Sequence, residues 1–467
     1  MSISEQLAAF AAGLSLDQVP DEVTERTKLL LLDTSGIAIR ARHDAESTPA
    51  TIRMVERLGG ATGNHAVFGD QKGYGASAAA LINGALAHSL DFDDTHAAGS
   101  IHSSAPIIPA ALTAAEMTGA SGSDVLAGII AGYEIQIRLS LALSPKDHYD
   151  RGYHPTATCG AFGAAAAAGR VLGLNDEQML DAFGICLSQT SGTIHFVESG
   201  AWTKRYQIGH AAMNGLIAAT LAQEGYLGAR TPIEGKHGFL NSFAPNPDPS
   251  KAVAGLGTVW ETLALAVNPS PPCRYSHAAM EAIASICSEQ DLTASDVESV
   301  YVGLPQTGFK IIGDGLAHKQ QPKSVVDGQF SMPFCAAVAI CERGMGWDDY
   351  AKHLKDPETL SLCKKVDVQI DPKPEASFPR FMSGIARVTA KGKTTERFVE
   401  IPKGEPENFQ TAEELREKFD GLTAPYLSQA QRDQFVAATL SFEKQSDVAT
   451  YLAMTRSAGA GLASAAE

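Results

Sequence analysis

The sequence predicts a mainly α protein with an α+β part: a large all-helical bundle domain, discontinuous in sequence, with a smaller α+β lid domain inserted into it. Three observations carry that expectation. Apolar residues recur at three- and four-residue spacing up to about residue 265, Pro269, Pro271 and Pro272 then crowd together, and short alternating or β-branched stretches follow only beyond them. A chain of 467 residues with 44% hydrophobic content is long enough to bury full-sized cores in two or three domains.

In chain order, the helical spacing is clearest in residues 23–39, 125–143 and 179–187. Two starts are marked: Ser121 with Asp124 forms a capping pattern, and Asn175 precedes the acidic first turn Asp176, Glu177. The runs GASAAALINGALAHS and ATCGAFGAAAAAG are so rich in Ala and Gly that neighbouring backbones can approach closely. The second run, residues 157–169, is too short to span a bilayer and closes on Arg170, so it reads as a tightly packed buried helix. The segment NPSPPCR cannot continue a helix and marks a domain crossing. Beyond it, residues 299–304, 366–370, 385–390 and 394–401 read as strands, the last two joined in a hairpin at Lys391, Gly392 and Lys393. Residues 278–287 and 333–342 read as helices between them. Glu414 completes a capping box ahead of LREKF, where helices resume. The expected division is 1–266, 267–404 and 405–467, the last part returning to the helical domain, with a frayed tail at SAGAGLASAAE.

Composition narrows the function classes. A net charge of -16 without a basic face argues against a nucleic-acid partner, although a local cluster of cations can still make one pocket positive. The seven cysteines are scattered with no CxxC pair, which suggests neither a disulfide framework nor a zinc knuckle nor an iron–sulfur site. The opening MSISEQLAAF lacks the basic segment of a signal peptide, so a cytoplasmic address with no membrane association is expected.

The densest polar cluster is HSLDFDDTHAAGSIH, holding His88, Asp91, Asp93, Asp94, Thr95, His96, Ser100 and His102 within fifteen residues. It has neither the loop pattern of a calcium site nor the HExxH spacing of a zinc helix, so the expected metal content is none. One reading has an aspartate orienting a catalytic histidine, with the N-terminus of the following proline-containing helix presenting donors to an anion; the plainer one is a helix cap with solvated loop charges. A second segment, RGYHPTATCGAFGAA, places Tyr153 and His154 just before a proline and a small-residue helix start, where a ligand carboxylate can approach. A third, GAWTKRYQIGHAAMNG, carries Lys204, Arg205 and His210, and a fourth, PPCRYSHAAMEA, carries Arg274 and His277 beside Cys273. Taken singly, surface charge and helix capping account for the last two.

In this order, together with LLDTSGIAI, IHSSAPIIPAAL, DGQFSMPFCAAVAI and PKGEPENFQTAEELREKF, these segments resemble the MmgE/PrpD family, which includes 2-methylcitrate dehydratase, cis-aconitate decarboxylase and iminodisuccinate epimerase. The resemblance covers nearly the whole chain. It implies a homodimer without metal or organic cofactor, acting on a small polycarboxylate substrate between a helical domain and an α+β lid. Carried over by position, Asp91, His102, His154 and Lys204 are the expected catalytic residues, and Thr95, Tyr153, Arg274 and His277 the expected substrate contacts. His154 is expected as base, His102 as acid or second base, Asp91 as its orienting partner, and Lys204 with Arg274 as a carboxylate clamp. Three positions depart from the pattern: Gln207 stands where many relatives have a histidine, Asn268 where many have a lysine and Ser270 where many have an aromatic residue. Dehydration of 2-methylcitrate type is the first expectation, with epimerisation of iminodisuccinate type or decarboxylation of cis-aconitate type as alternatives, and a non-catalytic binding protein of the same fold behind them. All three reactions develop negative charge beside a carboxylate and need a cationic, hydrogen-bonding pocket.

Overall fold

The structure, a computed structural model, describes residues 1–198 and 200–456. The tail that the sequence reads as frayed lies outside the described residues. The chain forms two compact units, one of residues 1–266 with the C-terminal segment from 415, the other of residues 267–414. The return crossing thus falls at 415 and not at 405. Residues 405–414 stay with the second unit, where the Gly404 N–H donates to the Asn408 carbonyl and Lys403 pairs with Glu414 at 3.0 Å.

The first unit is built from helices. Helix Asp21–Asp44 follows Pro20 and carries Asp21 and Glu22 in its first turn, where acidic charge complements the helix dipole; at its other end Asp44 pairs with Arg40. Helix Gly122–Leu143 starts at Ser121, whose side chain accepts from the Asp124 N–H. It is the one helix among the described residues long and apolar enough to cross a membrane, and it is buried in the core of its unit.

The Ala/Gly runs explain the packing. A Cβ placed on Gly132 would stand 2.8 Å from the Gly163 carbonyl oxygen, and one on Gly163 would stand 2.9 Å from that of Gly132, so helices Gly122–Leu143 and Pro155–Val171 meet backbone to backbone. Helix Thr203–Gln223 does the same against Ala76–Ala87, where a Cβ on Gly209 would come within 2.1 Å of the Leu81 carbonyl oxygen. These approaches fix where the loops at the helix ends converge.

The second unit contains a four-stranded sheet of β1 (Val297–Leu304), β2 (Val366–Ile370), β3 (Gly384–Ala390) and β4 (Lys393–Val399), in the order β2-β1-β3-β4. β1 pairs parallel with β2 and antiparallel with β3. The β3–β4 hairpin turns through Lys391 and Gly392, both at positive φ (52° and 72°), because a two-residue turn of the hand that matches strand twist needs that backbone. Helices His277–Glu289 and Met332–Glu342 share a core with the sheet, where Ile283, Ile286, Val300, Val302, Phe334 and Val338 are buried.

Candidate active site

The site is assembled on the loop between helices Ala76–Ala87 and Ser104–Thr118. The loop is held at several points. Thr95 and His96 pair with Ala266 and Leu265 in a short antiparallel ladder, and the His96 N–H donates to the Ile101 carbonyl at 2.8 Å. The Gly99 carbonyl accepts from Ser140 Oγ at 2.6 Å. Asp94 accepts from the Ser104 N–H at 3.0 Å and the Ser103 N–H at 3.3 Å. The helix start expected to offer its donors to an external anion is thereby capped by the protein's own carboxylate.

Within this frame three imidazoles meet. The His88 and His102 ring centroids are 4.7 Å apart, edge to face, and the His88 and His154 centroids are 6.3 Å apart. Asp93 Oδ2 lies 2.7 Å from His88 Nδ1 and 3.4 Å from His102 Nδ1. His102 is further fixed through its backbone, with the N–H donating to Thr156 Oγ1 at 3.2 Å and the carbonyl accepting from Gln136 Nε2 at 3.3 Å. His154 caps helix Pro155–Val171, and its N–H donates to the Gly192 carbonyl at 3.1 Å. The Phe196 ring covers it edge-on at 5.4 Å.

Lys204 enters from the start of helix Thr203–Gln223, and its ammonium bonds Asp91. Asp91, not Asp93, was expected to orient His102. The residue takes a left-handed backbone (φ 55°) that turns its carboxylate to Lys204, while Asp93, two positions on, is fully buried between the histidines. His88, Asp93 and Phe196 are site residues that the sequence analysis did not place; His88 and Asp93 stood in the cluster without a role, and Phe196 carried no signal at all.

Charge divides the histidines. Burial would push His102 down, but the Asp93 carboxylate outweighs it and holds the imidazole above its ordinary value. Burial pushes His154 well below its ordinary value, and the neighbouring His88, Lys204 and His102 charges add to the effect. His88 is also lowered by burial, against the pull of Asp93. Burial opposes ionisation of Asp93 and Asp91 too, yet His88 and His102 bring Asp93 well below the usual range, and Lys204 brings Asp91 to about 2. The site therefore sets a His102 held toward its protonated form, beside the Lys204 ammonium, against a His88 and a His154 that burial holds toward their neutral forms. The hydrogen bond to Asp93 places the His88 proton on Nδ1 and leaves Nε2 as a buried acceptor. His154 Nδ1 is likewise buried without a partner.

Ligand atoms of His88, Asp91 and His102 lie within 4.8 Å of one another, a spacing open to a metal ion. The charges disfavour it: Lys204 already neutralises Asp91, and a further cation beside it and a protonated His102 meets repulsion.

The remaining expected contacts have other engagements. The Tyr153 ring packs against His148 at 5.2 Å and Phe243 at 4.9 Å, and its backbone bridges to Thr193. Thr95 is half-buried, with its backbone in the ladder to Ala266. Arg274 and His277 belong to the second unit. There the Arg274 guanidinium forks onto Glu405, with Nε donating at 3.0 Å, so the carboxylate it clamps is the protein's own. His277 is buried, its Nε2 3.0 Å from the Pro272 carbonyl. Gln207, in place of the histidine of many relatives, donates through Nε2 to the Thr193 carbonyl at 3.0 Å and so ties down the segment bridged to Tyr153, next to His154.

Residues 5–252 match the MmgE/PrpD N-terminal domain and residues 270–443 the MmgE/PrpD C-terminal domain. The chain is similar to the cis-aconitate decarboxylase-like protein oryM of Aspergillus oryzae, at 28% identity with 97% of each chain covered. It is similar at 27% identity to cis-aconitate decarboxylase of Aspergillus terreus, covering 96% of this chain and 95% of the relative, and at 25% to the human enzyme of that name, covering 91% and 89%. With matches to both halves and a buried histidine cluster formed by the segments that carry the resemblance, the chain belongs to the MmgE/PrpD family.

Proposed function

We propose that this protein is a lyase that removes a carboxylate from a small unsaturated polycarboxylate of cis-aconitate type. The observation that carries the reading is the contact of His102 with the buried Asp93 carboxylate at 3.4 Å, which favours the protonated imidazole in the site that also holds Lys204. Decarboxylation breaks a carbon–carbon bond, releases carbon dioxide and leaves an electron pair delocalised toward a remaining carboxylate. The Lys204 ammonium and the His102 imidazolium stabilise that charge, and His102 gives its proton to the carbon, to be reprotonated from solvent before the next turnover. Whole-length similarity to proteins named as cis-aconitate decarboxylases supports the substrate class.

One observation favours a second reading. His154 is buried, neutral and has an open Nδ1, so a base faces an acid within one site, as epimerisation or dehydration requires. Proton NMR of the purified protein in D₂O with cis-aconitate, 2-methylcitrate and iminodisuccinate separates the three. The expected result is carbon dioxide release from cis-aconitate with one deuteron in the product. Deuteration with inversion and no carbon dioxide shifts the assignment to epimerase, alkene formation from 2-methylcitrate shifts it to dehydratase, and no reaction with any of them overturns the polycarboxylate reading.

A further inference from the structure

Beneath the catalytic loop lies a buried ion pair that the proposed reaction does not use. Lys418, from helix Ala412–Thr423, stands 2.6 Å from Asp33 of helix Asp21–Asp44, both almost fully shielded from solvent. Its Nζ also donates to the Phe92 carbonyl at 3.2 Å and sits 3.8 Å from the centroid of the Phe92 ring, a cation–π distance. Buried pairs of this kind add little net stability, because desolvation offsets their attraction, so stability alone does not account for a lysine placed here. Its position does. Phe92 is flanked by the two aspartates that partner the basic side chains of the site, Asp91 on Lys204 and Asp93 on His88 and His102.

We propose that Lys418 is a positioning residue of the site, gripping the loop at Phe92 by carbonyl and ring and thereby holding Asp93 between His88 and His102. Asp33 holds Lys418 in turn. The bond from Nζ to the Phe92 carbonyl is open to the ammonium and to the neutral amine alike, whereas the attraction to the ring needs the ammonium. Without it the loop is free to draw Asp93 away from His102, already its longer contact at 3.4 Å. The consequence for turnover rests on the proposed role of His102; the positioning itself does not.

The test reads His102 directly, in full-length protein labelled with ¹⁵N-histidine, with His102→Gln to assign the resonance. In Lys418→Met the His102 titration midpoint is expected to fall by about one pH unit as Asp93 withdraws. Loss of a nearby positive charge alone moves the midpoint the other way. Asp91, Asp94, Lys204, His88 and His154 also face the cluster; of these Asp94, like Asp93, lies within the field of Lys418, and loss of that charge favours protonation there too, again opposite to the expected fall. Lys418→Arg, keeping the cation and the carbonyl donor, is expected to retain most of the wild-type midpoint. An unchanged or raised midpoint in folded Lys418→Met overturns the proposal. Should that single variant fail to fold, Asp33→Leu/Lys418→Met removes both charges together, and the same fall is expected of it and an unchanged midpoint overturns the proposal equally. With the wild type active on cis-aconitate, kcat is expected to drop tenfold or more with KM within twofold. A falling midpoint with no wild-type turnover sinks the proposed function and leaves the positioning role standing.

Discussion

Asp93 Oδ2 lies 2.7 Å from Nδ1 of His88 inside a pocket that shields both side chains completely from solvent. The same oxygen reaches His102 at 3.4 Å, so one carboxylate sets the tautomer of one imidazole and the charge of another.

Replacing that carboxylate has a directional effect. In Asp93→Asn, His102 loses the anion that holds its affinity for protons above the ordinary value, while burial continues to push it down. A reaction that needs protonated His102 then fails at lower pH than in the wild type. The base-side limb of kcat is expected to move to lower pH, with turnover at pH 7.5 reduced roughly 10²–10³-fold. A pH–rate profile that superimposes on the wild type removes Asp93 from the mechanism.

His154→Gln tests the second imidazole. It keeps a polar side chain of similar reach but cannot accept a proton, and a kcat lowered roughly 10²–10⁴-fold with KM little changed is expected if His154 touches the reacting atoms. Steady-state kinetics at one pH suffice, because burial keeps this histidine neutral across the working range. Wild-type kcat takes it out of the site.

Asp94 gives a stability signature. Burial and the Asp93 charge raise its carboxyl from 3.8 to about 7. Between those values the folded protein retains a proton that the unfolded chain releases, so rising pH erodes stability through this window and the cost is complete above it. Asp94→Asn removes the titration and keeps an oxygen to accept from the Ser104 N–H. It is expected to be more stable than the wild type at pH 8, by roughly 1–4 kcal/mol, with the advantage gone near pH 4. Thermal unfolding at both pH values checks it, and an equal difference at the two is the contrary result.

The helix contacts predict a packing defect. A Cβ on Gly209 collides with the Leu81 carbonyl, a backbone atom that can move only with its helix. Gly209→Ala is therefore expected to lose roughly 1–3 kcal/mol in chemical denaturation, whereas Gly421→Ala, inside a helix with open space around its Cβ, is the control expected to gain up to about 1 kcal/mol.

Much of this was legible in the sequence where local chemistry decides structure. Helices, caps and the Lys391-Gly392 turn follow from spacing and backbone preference, and the strand at Val366–Ile370 begins and ends where the alternation does. The return crossing was misplaced by ten residues because residues 405–408 look like a linker yet bond back to Gly404, a pairing that leaves no local trace. At the site, His102, His154 and Lys204 could be named from motifs, but three neighbouring aspartates cannot be told apart by composition. What separates Asp91 from Asp93 is one left-handed residue and the direction it imposes. Phe196 and Lys418 were invisible for a different reason: each acts through a partner distant in sequence, and an isolated lysine in LREKF reads as a solvated helix charge.

The placement of Lys418 also bears on how the molecule is made. Phe92 leaves the ribosome 326 residues before the lysine that grips it, and the whole second unit is synthesised in between. Until the C-terminal segment emerges, Asp33 is a carboxylate awaiting its cation and the loop above it has no anchor from below. On the proposed positioning role, chains that stop before Lys418 carry the histidines and aspartates of the site without the contact that aligns Asp93. The same role makes the synthesis of helix Ala412–Thr423 the step that arms the loop.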